Sequence, residues 1–222
     1  MKVLLNQHNS KEKQFKFVIV GEQACGKSSI VLRYCHDEFS RQYYPTVGVD
    51  IFLKRTLLDI HSVRLIIWDV SGNSLSSSLL DKYLYEADVV LLIFDITNSN
   101  SFTTLATWYY TILNIINNSK FRKPLIFVIA NKCDMEHQRA VSTEKQNKFL
   151  TENHLVAYNV SSRTGENVTM CLQKIIAKLL GLKLSKNELE IYQKTVKAEV
   201  FINQAHQVRT SYQVPSSICQ IQ

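Results

Sequence analysis

Residues Gly21 to Ser28 read Gly-Glu-Gln-Ala-Cys-Gly-Lys-Ser, which is the G-x-x-x-x-G-K-[ST] spacing of a phosphate-binding loop. Gly21 and Gly26 let backbone N–H groups approach phosphate oxygens with no Cβ in the way. Lys27 is expected to reach the β- and γ-phosphates as a point charge, and the Ser28 hydroxyl to ligate Mg²⁺. Glu22, Gln23, Ala24, Cys25 and Ser29 complete the binding segment. The flanks suit this chemistry. The run Phe15 to Val20 is apolar and β-branched, as a buried strand should be. Ser28 to Cys35 can open a helix whose N-terminus adds partial positive charge. Such a loop binds a nucleoside phosphate.

A second group of residues selects the base. Asn131-Lys132-Cys133-Asp134 follows directly on the apolar run Pro124 to Ala130, at the carboxyl edge where open α/β sheets bind ligands. The Asp134 carboxylate can accept hydrogen bonds from the ring N–H and exocyclic amine of guanine. Adenine presents the reverse pattern and leaves the carboxylate unpaired, which is costly. Ser161-Ser162-Arg163-Thr164-Gly165 follows a further strand and can present backbone N–H groups to the guanine carbonyl. Phe39 is a candidate for covering the edge of the base.

Two further segments are placed to sense a γ-phosphate. In Tyr43-Tyr44-Pro45-Thr46-Val47-Gly48, Thr46 is expected at Mg²⁺ and the γ-phosphate, with Tyr43 beside the nucleotide. In Trp68-Asp69-Val70-Ser71-Gly72-Asn73, Asp69 is expected near the Mg²⁺ shell and the Gly72 N–H at the γ-phosphate. A loop held by γ-phosphate contacts is ordered with GTP and released after hydrolysis.

The elements that must hold these residues form an alternating series. Strand-like runs lie at 15–20, 49–58, 62–69, 88–95, 123–130 and 155–160, and helical patterns near 28–37, 99–118, 142–153 and 166–181. The continuous apolar character of Val89 to Phe94 and Leu125 to Ala130 suits strands covered on both faces. The expected fold is therefore α/β: one P-loop domain with a mostly parallel six-stranded sheet, one antiparallel edge strand, and helices on both faces. Residues 1–13 read as a loose polar arm, 14–183 as the domain, and 184–222 as a polar tail in which 185–200 can form an amphipathic helix.

Composition narrows the setting. The chain has 222 residues and a formal charge of +7, which favours anionic partners. No run of five basic residues occurs, so a dedicated nucleic-acid surface is not expected. The five cysteines are odd in number and lack C-x-x-C spacing, which argues for a reducing compartment and against a zinc site. The N-terminus has too short an apolar run for a signal peptide, and no stretch approaches the roughly 18 apolar residues of a membrane helix.

On these motifs the chain resembles the Ras superfamily of small GTPases over residues 14–183. Gly48-Val49-Asp50, Trp68-Asp69 and Asp95-Ile96-Thr97 make it similar to the Rab family. Leu80-Asp81-Lys82-Tyr83, Trp108-Tyr109, Glu136-His137, Leu180 to Leu184 and Val196-Lys197-Ala198 carry the resemblance to one Rab subtype. The resemblance implies a monomeric GTP/GDP switch with Mg²⁺ and slow hydrolysis. It also implies an exchange factor, a GTPase-activating protein, effectors and a role in membrane trafficking. Its expected location is the cytosol and the cytoplasmic face of endosomal or ciliary membranes.

Three departures from the pattern bear on activity. The glutamine usual after D-x-x-G is here Asn73, one methylene shorter, and that glutamine orients the attacking water. Gln23 takes a P-loop position where close relatives have a small residue. It either obstructs a trans-acting arginine or stands in for the missing amide. Lys27, Thr46, Asn73 and Gln23 are thus the candidate catalytic residues. The aromatic triad that Rab effectors read is expected at Ile51, Trp68 and Leu84, with one ring retained.

The chain ends Cys219-Gln220-Ile221-Gln222, a C-a-a-X box that favours farnesyl on Cys219. Residues 183–222 hold five Lys or Arg against three Glu, too little for a strong polybasic second anchor. A single lipid binds membranes reversibly, so cycling through a soluble prenyl-binding carrier is expected. Two readings stand at this point: a GTPase switch, or a GTP-bound scaffold with negligible turnover. An ATP-using kinase is disfavoured by Asn131 to Asp134 and by the lack of an arginine-rich lid.

Overall fold

The structure, a computed structural model, describes residues 12–119 and 122–185. Its sheet has six strands in the order β2-β3-β1-β4-β5-β6. They are β1 (Lys13–Gly21), β2 (Val49–Leu58), β3 (His61–Val70), β4 (Val89–Asp95), β5 (Leu125–Asn131) and β6 (Val156–Asn159). All neighbouring pairs are parallel except β2–β3. The five helices are α1 (Lys27–His36), α2 (Leu80–Leu84), α3 (Ser99–Asn118), α4 (Thr143–Glu152) and α5 (Val168–Leu180). The architecture is the expected one. The short α2 carries too few residues for a helical period and has no counterpart among the sequence patterns.

Strand β4 shows why this sequence makes a central parallel strand. Every residue from Val89 to Asp95 is buried. Val89, Leu91 and Ile93 join one apolar cluster, with Ile30 and Val31 of α1 and Leu172, Ile175 and Ile176 of α5. Val90, Leu92 and Phe94 join the other, with Leu105, Trp108 and Ile112 of α3. The alternation of side chains across the strand supplies both cores from one continuous apolar run.

Helix boundaries follow local chemistry. The Asn98 carboxamide caps α3 by accepting from the Asn100 N–H at 2.9 Å, and the Ser142 hydroxyl caps α4 by accepting from Lys145. Gly181 closes α5 in the left-handed conformation that glycine adopts freely. Because the five mutually parallel strands each run into a loop and then a helix, the loops after β1, β3, β4, β5 and β6 all open at one edge of the sheet. That edge carries the site.

Candidate nucleotide-binding site

A cavity of about 620 Å³ opens at this edge. The P-loop contributes Gln23, Ala24, Gly26, Lys27, Ser28 and Ser29 to its wall, and the loop after α1 contributes Phe39, Tyr43 and Thr46. Gly72, Lys132, Asp134, Ser162 and Arg163 complete the expected lining. Residues from five separate stretches of sequence thus meet around one space.

The P-loop needs its glycines for steric reasons. Gly21 has φ +144°, and a Cβ there would meet the Ile93 carbonyl oxygen at 2.2 Å. Gly26 has φ +93°, and a Cβ would meet the Asn131 amide nitrogen at 2.1 Å. Lys27 is buried, and its Nζ donates to the Gly21 and Glu22 carbonyls at 3.0 and 2.9 Å. Those bonds hold the ammonium across the loop, where phosphate oxygens would compete for it. The Glu22 carboxylate accepts from the Gln23 N–H at 3.0 Å. Cys25 is fully buried, which pushes its thiol up to about 11; it is packing, not a nucleophile.

Asn131 and Ser161 act from behind the wall. Both are fully buried. The Asn131 amide donates to the Cys25 carbonyl at 2.9 Å and its oxygen accepts from the Ser162 N–H at 3.1 Å, so one side chain ties the P-loop to the β6 loop. The Ser161 hydroxyl donates to Asp134 at 2.6 Å, aiming the carboxylate. Lys132 forms an ion pair with Asp95 at 2.5 Å. Arg33 of α1 donates to the Ser162 and Arg163 carbonyls at 3.1 and 3.0 Å. Asp95, which the sequence marked only as part of Asp95-Ile96-Thr97, and Arg33, which no motif marked, are positioning residues. Arg33 lies 129 positions from its partner, and such contacts leave no local signature.

At the opposite end, the Ser28 hydroxyl donates to Asp69 at 2.5 Å and lies 3.1 Å from the Thr46 hydroxyl, which is itself 3.4 Å from Asp69. Asp69 is fully buried, and burial raises its carboxyl above the ordinary range while the Ser28 bond opposes that shift. Its other oxygen, Oδ1, has no hydrogen-bond partner among the described residues. Gly72 packs directly on Gln23: a Cβ there would meet the Gln23 nitrogen at 2.6 Å and its Cγ at 2.8 Å. Asn73 is exposed to solvent and is absent from the cavity wall.

The expected effector triad needs a correction. Ile51 is 57 % exposed and Trp68 is half-buried, but Leu84 is 3 % exposed and belongs to the core beneath α2. Tyr83 occupies the surface position instead, with its ring 6.1 Å from Trp68. The Lys16 ammonium also lies over the Trp68 ring, 3.9 Å from its centroid. Two rings, not one, are therefore present beside Ile51. Cys219 and residues 186–200 lie outside the described residues.

The family model for the Ras family matches residues 16–181. The chain is also 34 % identical over 203 residues to the Ras-related protein Rab-28 of Caenorhabditis elegans, covering 90 % of this chain and 81 % of that protein. The chain is a Rab-type small GTPase of the Ras family. As a member of that family it is a guanine-nucleotide-binding switch. Among the described residues of this GTPase, Cys25, Cys35, Cys133 and Cys171 are free thiols. No described helix is long and apolar enough to cross a membrane.

Proposed function

We propose that this GTPase is a trafficking switch with unusually slow intrinsic hydrolysis, so that its GTP-bound form persists. The observation that carries the reading is the position of Asn73. Its side chain stands in solvent outside the pocket wall, whereas an orienting amide must reach the attacking water. A displacement of about 1 Å in a positioned group can cost on the order of 10²-fold in rate. Gln23, inside the pocket against Gly72, is the remaining amide at that end.

Mg²⁺ suits the residues present. Ser28, Thr46 and Asp69 converge through hydroxyl and carboxylate oxygens, and the buried Asp69 Oδ1 lacks a partner. Such hard oxygen donors fit a hard cation. When bound, the ion neutralises phosphate charge; the residues themselves orient Ser28 and draw Thr46 inward. The Thr46 loop then reports the γ-phosphate, and the surface of Ile51, Trp68 and Tyr83 beside it presents that state to effectors. Exchange and GTPase-activating proteins set the cycle.

The C-terminal box places a farnesyl on Cys219, and this single lipid lets a carrier move the protein between cytosol and the cytoplasmic face of endosomal or ciliary membranes. The arm 1–13, domain 14–183 and tail 184–222 divide the work accordingly. A second reading, a GTP-bound scaffold with negligible turnover, is favoured by the same Asn73. Single-turnover phosphate release from GTP-loaded protein separates the two. Membrane partitioning of Cys219→Ser against wild type tests the lipid, and equal partitioning removes it.

A further inference from the structure

Four cationic side chains line the pocket: Lys27, Lys132, Arg163 and Arg41. Three are engaged by the protein. Lys27 bonds two P-loop carbonyls, Lys132 pairs with Asp95, and Arg163 lies 3.8 Å from Asp134. Arg41 alone among them makes no hydrogen bond, ion pair or ring contact with any described residue. Its backbone is nevertheless constrained. The Ser40 hydroxyl accepts from the Gln42 N–H at 3.1 Å, and Tyr44 donates to the Gln42 side chain at 2.9 Å, with Arg41 in the bend that Ser40 and Gln42 close.

The place of Arg41 along the pocket follows from its neighbours. Phe39, two residues earlier, lines the same cavity, and Thr46, five residues later, meets Ser28 and Asp69. Arg41 therefore lies on the stretch of pocket wall that runs from Phe39, the residue assigned to the base edge, to Thr46, the residue assigned to the γ-phosphate. A guanidinium there, without a carboxylate to neutralise it, suits bidentate contact with phosphate oxygens.

We propose that Arg41 is a nucleotide-binding residue whose guanidinium contacts the α/β-phosphate oxygens common to GDP and GTP. It would hold the first switch loop to the nucleotide in both states and slow nucleotide release. Thr46, in contrast, would respond to the γ-phosphate alone. The assignment rests on the guanine-nucleotide reading of the same pocket and adds to it a contact that is indifferent to hydrolysis.

The test compares dissociation of GDP and of a non-hydrolysable GTP analogue from wild type, Arg41→Ala and Arg41→Lys at low and high salt. Arg41→Ala is expected to release both nucleotides about tenfold faster, with a weaker salt dependence than wild type. Arg41→Lys should recover part of the loss, because the charge remains while the fork is gone. Unchanged release of both nucleotides from Arg41→Ala would overturn the proposal. So would faster release of the GTP analogue alone, or loss of hydrolysis without change in GDP release, since either outcome assigns the guanidinium to the γ-phosphate. Failure of wild type to bind GDP would instead remove the nucleotide reading itself.

Discussion

The two ends of the pocket are built differently. At the base end, Asn131 and Ser161 are fully buried, and Asp134, Lys132 and the Ser162 loop are each held by a side chain from another element. At the γ-phosphate end, the loop between α1 and β2 has Tyr43, Tyr44 and Val47 more than half exposed. Among the described residues it is anchored to other elements there by the Thr46 hydroxyl on Ser28 and Asp69, and by the Gly48 carbonyl accepting from the Ser71 N–H at 2.9 Å. Under the proposed function, base recognition is assembled by the protein's own contacts, while the sensing loop would depend on the ligand to complete its contacts. A switch needs this asymmetry, because a loop fixed by the protein alone has nothing to report.

The sharpest way to break the comparison is at Asp134. Asp134→Ala removes two charge-assisted hydrogen bonds to guanine, so GDP affinity should fall by about 10²–10⁴-fold. Competition binding measures this, and circular dichroism should show an unchanged fold. A small loss would mean that the base end is not the preassembled recognition element.

Leu84 and Ile51 test where the sensing end stops being surface. Leu84→Ala should cost about 2–5 kcal/mol in denaturant unfolding, as a core truncation does. Arg33→Ala probes the wiring of the base end: losing the clamp on the Ser162 and Arg163 carbonyls should raise the GDP dissociation constant about tenfold. Thr46→Ala should weaken the GTP analogue about tenfold and leave GDP nearly unchanged. Equal losses for both nucleotides would erase the distinction between the two ends. Ile51→Ala should shift stability by no more than about 0.5 kcal/mol while weakening effector binding.

Much of this was legible in the sequence because it is local. The glycines of the P-loop, the apolar run of β4 and the tetrapeptide at Asn131 each state their role within a few residues. Other features depend on residues that only the fold brings together. Arg33 and Arg41 belong to no motif, and Asp95-Ile96-Thr97 gives no sign that Asp95 pairs with Lys132, since their partners are distant or are the ligand itself. The exchange of Leu84 for Tyr83 has a similar cause. The five-residue α2 has no period from which its outward face can be read, so only packing shows that Leu84 turns in and Tyr83 lies on Trp68.

The central claim is that Asn73 leaves the γ-phosphate end without its usual orienting amide. Single-turnover phosphate release from Mg²⁺-loaded, GTP-bound wild type and Asn73→Gln tests it most directly. The account predicts release at least tenfold faster from Asn73→Gln, since a displacement of about 1 Å can be worth on the order of 10²-fold. Equal rates in the two proteins would contradict it, and would show that Gln23 or another group already positions the water.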